Sequence, residues 1–120
     1  LNPTNIAFTE VTRANADMLL VANHPFGGAA GVAAMKERVA ALAKEEALPE
    51  ELRRKLAEGN DPQLFPELVF GVILSGTGVA SVLPAMITPR NLRSNVEAVE
   101  SCRFTDDELA RVRAVLSAGW

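Results

Sequence analysis

Leu68-Val69-Phe70-Gly71-Val72-Ile73-Leu74-Ser75-Gly76-Thr77-Gly78-Val79-Ala80-Ser81-Val82-Leu83-Pro84 is the stretch that decides the fold class. With Leu64 and Phe65 ahead of it, its first part is apolar around more than one face, which predicts a deeply buried helix. Ser75, Gly76, Thr77 and Gly78 end that helix, and the next five residues read as a short strand stopped by Pro84. A second strand candidate lies far upstream. Asp17-Met18-Leu19-Leu20-Val21-Ala22 is a run without polar alternation, which predicts a strand over residues 18–22 buried on both faces, as in parallel sheets. It breaks at Asn23-His24-Pro25-Phe26-Gly27-Gly28, where a proline and two glycines interrupt the pattern.

Helical signals fill the rest. Asn2-Pro3-Thr4 opens a short helix over residues 4–15, with Ile6, Phe8 and Val11 apolar. From Gly31 a helical period places Val32, Met35, Val39 and Leu42 on one face, with Lys36, Glu37, Arg38 and Lys44 mostly off it. Pro49 starts a further helix whose stripe is Leu48, Leu52 and Leu56. Gly59-Asn60 closes it with left-handed cap chemistry, and Asp61-Pro62 serves as cap and first residue of the apolar helix. Downstream, Thr88-Pro89 starts a helix carrying Leu92, Val96 and Val99. Thr105-Asp106-Asp107-Glu108 is a capping box that turns Leu109, Val112 and Leu116 inward. Strands separated by helices imply parallel crossovers, so the class is α/β.

Composition removes several functions. The chain has 120 residues, 48% of them hydrophobic, enough for one modest core. A net charge of −3 argues against a nucleic-acid partner. No run approaches the roughly 18–20 apolar residues of a membrane span, so no membrane partner is expected. The single cysteine, Cys102, excludes an intrachain disulfide and fits the cytoplasm as compartment. The opening Leu1-Asn2-Pro3, without an initiator Met, suggests a fragment. With no tyrosine and one histidine, proton donation by tyrosine is excluded and a hydrolase triad has only His24 to draw on. His24 reads as a loop hydrogen-bonder before a base, Cys102 as a structural thiol, and the Glu45-Glu46, Glu50-Glu51 and Arg53-Arg54-Lys55 clusters as solvated helix faces.

The order and spacing of these segments resemble the aldo/keto reductase superfamily, in the C-terminal half of its barrel. Residues 68–75 look like the helix before the seventh strand, Val79 to Pro84 like that strand and its closing proline, and residues 18–28 like the sixth strand and its loop. Asn95 follows Pro84 by eleven residues, the family's spacing to a cofactor-contacting asparagine. The resemblance covers nearly the whole chain and about half of the roughly 250 residues of a typical barrel. It implies a single partial domain over residues 1–120, a partial (β/α)8 TIM barrel, helix-rich with two short parallel strands.

By that resemblance, the parent is an oxidoreductase transferring hydride from NADP or NAD at the C-terminal ends of the strands. Its tyrosine, lysine, aspartate and histidine would come from the other half, so no catalytic residue is assigned here. The resemblance places the cofactor against Asn23, His24, Pro25, Phe26, Gly27 and Gly28 in one loop. It adds Pro84, Ala85, Met86, Asn91 and Asn95 in a second segment that begins a helix. Glycines there let backbone approach a phosphate, and a helix N-terminus favours an anion. Asn23 stands where many members stack an aromatic on the nicotinamide. Ala85, Met86, Ile87 and Asn91 stand where many carry cations, and Arg90 and Arg93 fall out of register. The competing reading is a non-catalytic interaction module, or a half-barrel that pairs with another chain. Exposed strand edges then favour a homodimer.

Overall fold

The computed structural model describes residues 13–14, 17–23, 25–75, 78–84 and 88–117. Most of the helix expected over residues 4–15 lies outside them, as do His24, Ala85 and Met86; Arg13 and Ala14 are helical. Strand β1 (Leu20–Asn23) leads to helices α1 (Gly28–Leu42), α2 (Glu50–Leu56) and α3 (Leu64–Leu74). Strand β2 (Val79–Leu83), α4 (Pro89–Glu100) and α5 (Asp106–Ser117) follow. The fold is α/β and helix-rich, with five helices and two short parallel strands among the described residues.

The strands pair in parallel, Leu20 with Val79 and Val21 with Ser81, so Ala80 is the extra residue of a bulge. Asn23 pairs with Leu83, which sets the C-terminal ends of both strands side by side. Contrary to expectation, β1 begins at Leu20 rather than Met18 and is not buried on both faces. Leu19 is 88% exposed and Val21 and Leu83 about half exposed, whereas Ala22 is fully buried. The helices cover one face of a two-stranded sheet, so only alternate side chains are shielded from water.

α1 starts three residues earlier than its apolar period suggests. Gly27 and Gly28 both take positive φ, 65° and 69°, turning the chain directly into the helix. Met35, Val39 and Leu42 of α1 pack with Leu48, Leu52 and Leu56 in the core. α3 is the central element: Leu64, Leu68, Val69, Phe70, Val72 and Ile73 are all buried. Its start and the end of α2 differ from the sequence reading. α2 closes through Ala57 in right-handed conformation, without a left-handed Gly59. Asp61 does not cap the helix; its Oδ1 accepts from the Gln63 amide at 2.9 Å in a turn, and α3 begins at Leu64.

α4 and α5 start as the sequence indicates. Thr88 Oγ1 accepts from the Asn91 amide at 3.1 Å with Pro89 in the first turn. Thr105 and Glu108 exchange both capping-box bonds, at 2.9 and 3.2 Å. Leu92, Val96 and Val99 do not join the core: each is about half exposed, and Ala98 is the buried residue of α4.

Ion pairs lock the lower half. Arg103 binds Glu67 through Nε at 2.6 Å, Asp61 through Nη2 at 2.6 Å and Glu58 through Nη1 at 2.7 Å. Lys55, expected on a solvated face, instead bridges the Arg103 carbonyl at 3.0 Å and Glu108 at 2.9 Å. Arg113 Nη1 donates to the carbonyls of Val72 and Ser75, satisfying groups that α3 leaves orphaned at its C-terminus. Among the described residues, no helix is long and apolar enough to cross a membrane.

Candidate functional site

A cleft of about 520 Å³ opens between the N-terminal turns of α3 and α4, the first half of α1 and the loop after β1. Each wall has a local cause. Phe26 is presented by the Pro-Phe-Gly-Gly turn and held by an edge-on contact with Phe70, ring centroids 5.5 Å apart. Its carbonyl lies so close to Gly31 that a β-carbon there would sit 2.2 Å away, so α1 can start under this loop only with glycine at that position.

Val32 and Lys36, one helical turn apart, form the α1 wall. The Lys36 ammonium rests 5.7 Å from the Phe65 ring centroid, a cation–π contact that keeps its charge over the cleft. The fourth wall is the start of α4, with Arg90, Asn91, Ser94 and Asn95. It is pinned to α3 by a reciprocal pair: Gln63 Nε2 donates to the Ser94 carbonyl at 2.7 Å, and Ser94 Oγ donates to Gln63 Oε1 at 2.8 Å.

Of the residues assigned to a cofactor, Phe26, Asn91 and Asn95 meet in this cleft although a loop and a helix far apart in sequence supply them. Pro84 lines an adjoining apolar groove that Asn95 shares. Asn23 ends β1, Pro25 and Gly27 belong to the loop carrying Phe26, and Gly28 begins α1; none of them lines the cleft, with Pro25 buried and Asn23 and Gly28 exposed. His24, Ala85 and Met86 lie outside the described residues.

Sequence reasoning missed Lys36, Phe65 and the placement of Arg90. Lys36 sits one turn after Val32, off the apolar face, so its only signal was a lysine shortly after a glycine loop. Arg90 falls beside Asn91 on the first turn of α4 and reaches the same cleft, so a one-residue difference in register does not remove it.

The chemistry of the cleft follows from its lining. Two cations, two aromatic rings and three side-chain amides line it, and among the described residues no carboxylate does. Such a surface attracts anions, stacks a flat ring and reads polar ring edges. Among the described residues it offers no nucleophile–base pair, and no group of His, Cys, Asp and Glu is arranged to hold a metal. The shifted ionisations lie elsewhere. The Arg103 guanidinium, helped by the Gln63 amide, holds Asp61 below the usual carboxylate range. Burial, with Glu67 nearby, pushes the Cys102 thiol up. Cys102 Sγ lies 3.7 Å from the Glu67 carbonyl, consistent with a structural rather than reactive thiol.

Compared with protein-family models, curated proteins and solved structures, the chain matches none of them.

Proposed function

We propose that this chain is the C-terminal portion of an NAD(P)-dependent aldo/keto reductase-like oxidoreductase, carrying part of the cofactor site and no catalytic tetrad. On this reading the two parallel strands and their helices are consecutive units of a partial (β/α)8 barrel in a cytoplasmic enzyme. The observation that carries it is the convergence of Phe26, Asn91 and Asn95 in one cationic cleft beside the C-terminal ends of both strands. Ligands of parallel α/β folds bind at that end of the sheet. A dinucleotide suits the lining: Lys36 and Arg90 for phosphate, Phe26 or Phe65 for a ring face, Asn91 and Asn95 for polar edges. A carbonyl substrate would need a proton donor from outside this chain, which contains no tyrosine.

Saturation-transfer NMR with NADPH and NADH, which detects binding into the millimolar range, is the direct test. Both cofactors are expected to show transfer to their adenosine protons, reduced by Arg90→Ala and Asn95→Ala, with no carbonyl reduction by the chain alone. Absence of transfer from either cofactor, or transfer that both substitutions leave unchanged, would refute the reading.

A further inference from the structure

We propose that α4 is a self-association surface, across which two copies of this chain pack antiparallel about a two-fold axis. The proposal shares Arg90 with the cofactor reading, but the residues that test it, Arg93, Val96 and Glu97, do not line the cleft. α4 is amphipathic, yet its apolar stripe faces away from the core: Leu92 and Val96 are each 47% exposed and Val99 55%. Beside the stripe an apolar groove of about 420 Å³ continues to Leu74 at the end of α3 and to Val82 and Pro84 at β2. Three large side chains in register on one helix, next to an apolar groove, form a contiguous patch rather than scattered surface residues.

Charge identifies the occupant. Arg90 and Arg93 lie in the N-terminal half of α4, and Glu97 and Glu100 in the C-terminal half; all four are exposed. None of them makes an ion pair among the described residues. At about 100° per residue, the four share the same flank of the apolar stripe. A two-fold axis perpendicular to two antiparallel helices keeps that flank on the same side in both copies. Leu92 of one copy then meets Val99 of the other, with Val96 near the axis. Arg93 faces Glu97, and Arg90 faces Glu100, twice over by symmetry. The surface is therefore complementary to itself. Equal numbers of cations and anions do not suit an anionic lipid surface, which calls for a basic flank. A 12-residue helix is about 18 Å long, so the interface falls at the low end of specific contacts and the dimer is concentration-dependent.

Sedimentation velocity on the purified chain, from low micromolar to several hundred micromolar, tests this. A monomer–dimer equilibrium is expected, abolished by Val96→Arg. Arg93→Glu and Glu97→Arg should each weaken association about tenfold, since symmetry repeats every lost pair and adds repulsion. The double variant Arg93→Glu/Glu97→Arg should return to within about threefold of the unaltered chain. All these side chains are exposed, and unchanged circular dichroism would show that each variant folds. A monomer throughout the range, a dimer indifferent to Val96→Arg, or a double variant no better than the singles would each overturn the proposal.

Discussion

Replacing Arg103 by Met removes one guanidinium from three carboxylates, and the structure separates their contributions. Glu58 and Asp61 have side chains 57% and 42% exposed, so losing either pair costs about 0–1 kcal/mol. Glu67 is different: its side chain is 6% exposed, and only the Arg103 backbone amide, at 3.1 Å, would still serve its Oε2. Stripping the partner from a buried carboxylate costs about 3–5 kcal/mol. Because Arg103 itself is 21% exposed, water reaches part of the vacated space and the lower end applies. The expected total is about 3–4 kcal/mol, a large share of the 5–15 kcal/mol of a typical domain. Urea unfolding at neutral pH, followed by circular dichroism, measures it. Glu67→Gln, which keeps the shape and loses the charge, should cost about 1–2 kcal/mol. The double variant Glu67→Leu/Arg103→Met should recover most of the loss, because no unpaired charge remains inside. A cost below about 1 kcal/mol for Arg103→Met would refute the reasoning, as would a double variant less stable than the single.

The same network has an acid signature. Asp61 is held below its ordinary value of 3.8, first by the Arg103 hydrogen bond and then by the Gln63 amide. A depressed folded pKa contributes stability that is present above the unfolded value and lost as pH falls through the folded one. The stability gap between the unaltered chain and Asp61→Asn should therefore be full near neutrality and close below about pH 3.8; a gap independent of pH would count against it. At the cleft, Gly31→Ala places a β-carbon 2.2 Å from the rigid Phe26 carbonyl and should cost about 1–3 kcal/mol in thermal or urea unfolding. Gly71→Ala meets only the flexible Leu109 methyls, at 2.7 and 2.9 Å, and should cost less; equal losses would contradict this account.

The sequence revealed most where a local rule acts alone. The Thr88–Pro89 start, the Thr105–Glu108 capping box and the strand Val79–Leu83 depend on residues within one turn or one strand, and the structure shows all three. The buried helix α3 was equally visible, since its apolar residues surround it. Periodicity failed on α4 because it reports which side chains share a face, not whether anything covers that face. It failed on residues 18–22 for a related reason: an unbroken apolar run looks two-sided even when only one side is shielded. Glu67 and Lys55 were out of reach, since their partners lie 36 and 53 residues away. Of the cleft's lining, the sequence singled out Phe26, Asn91 and Asn95, whereas Lys36 and Phe65 enter it only through the packing of α1 on α3.

The ties made by the last helix and the loop before it have a consequence for how the chain is built. Arg103, Asp106, Glu108 and Arg113 reach back to Glu67, Ser75, Lys55 and Val72. During synthesis α3 leaves the ribosome with a buried-to-be carboxylate and C-terminal carbonyls whose partners do not yet exist. For Val72 the partner follows 41 residues later. Until then the nascent helices can collapse but cannot close, and the apolar surface of α3 waits in contact with solvent or a chaperone. Completion of this fold waits for the segment from Arg103 to Arg113, whose charged side chains arrive together with the core residues Phe104, Leu109 and Val112.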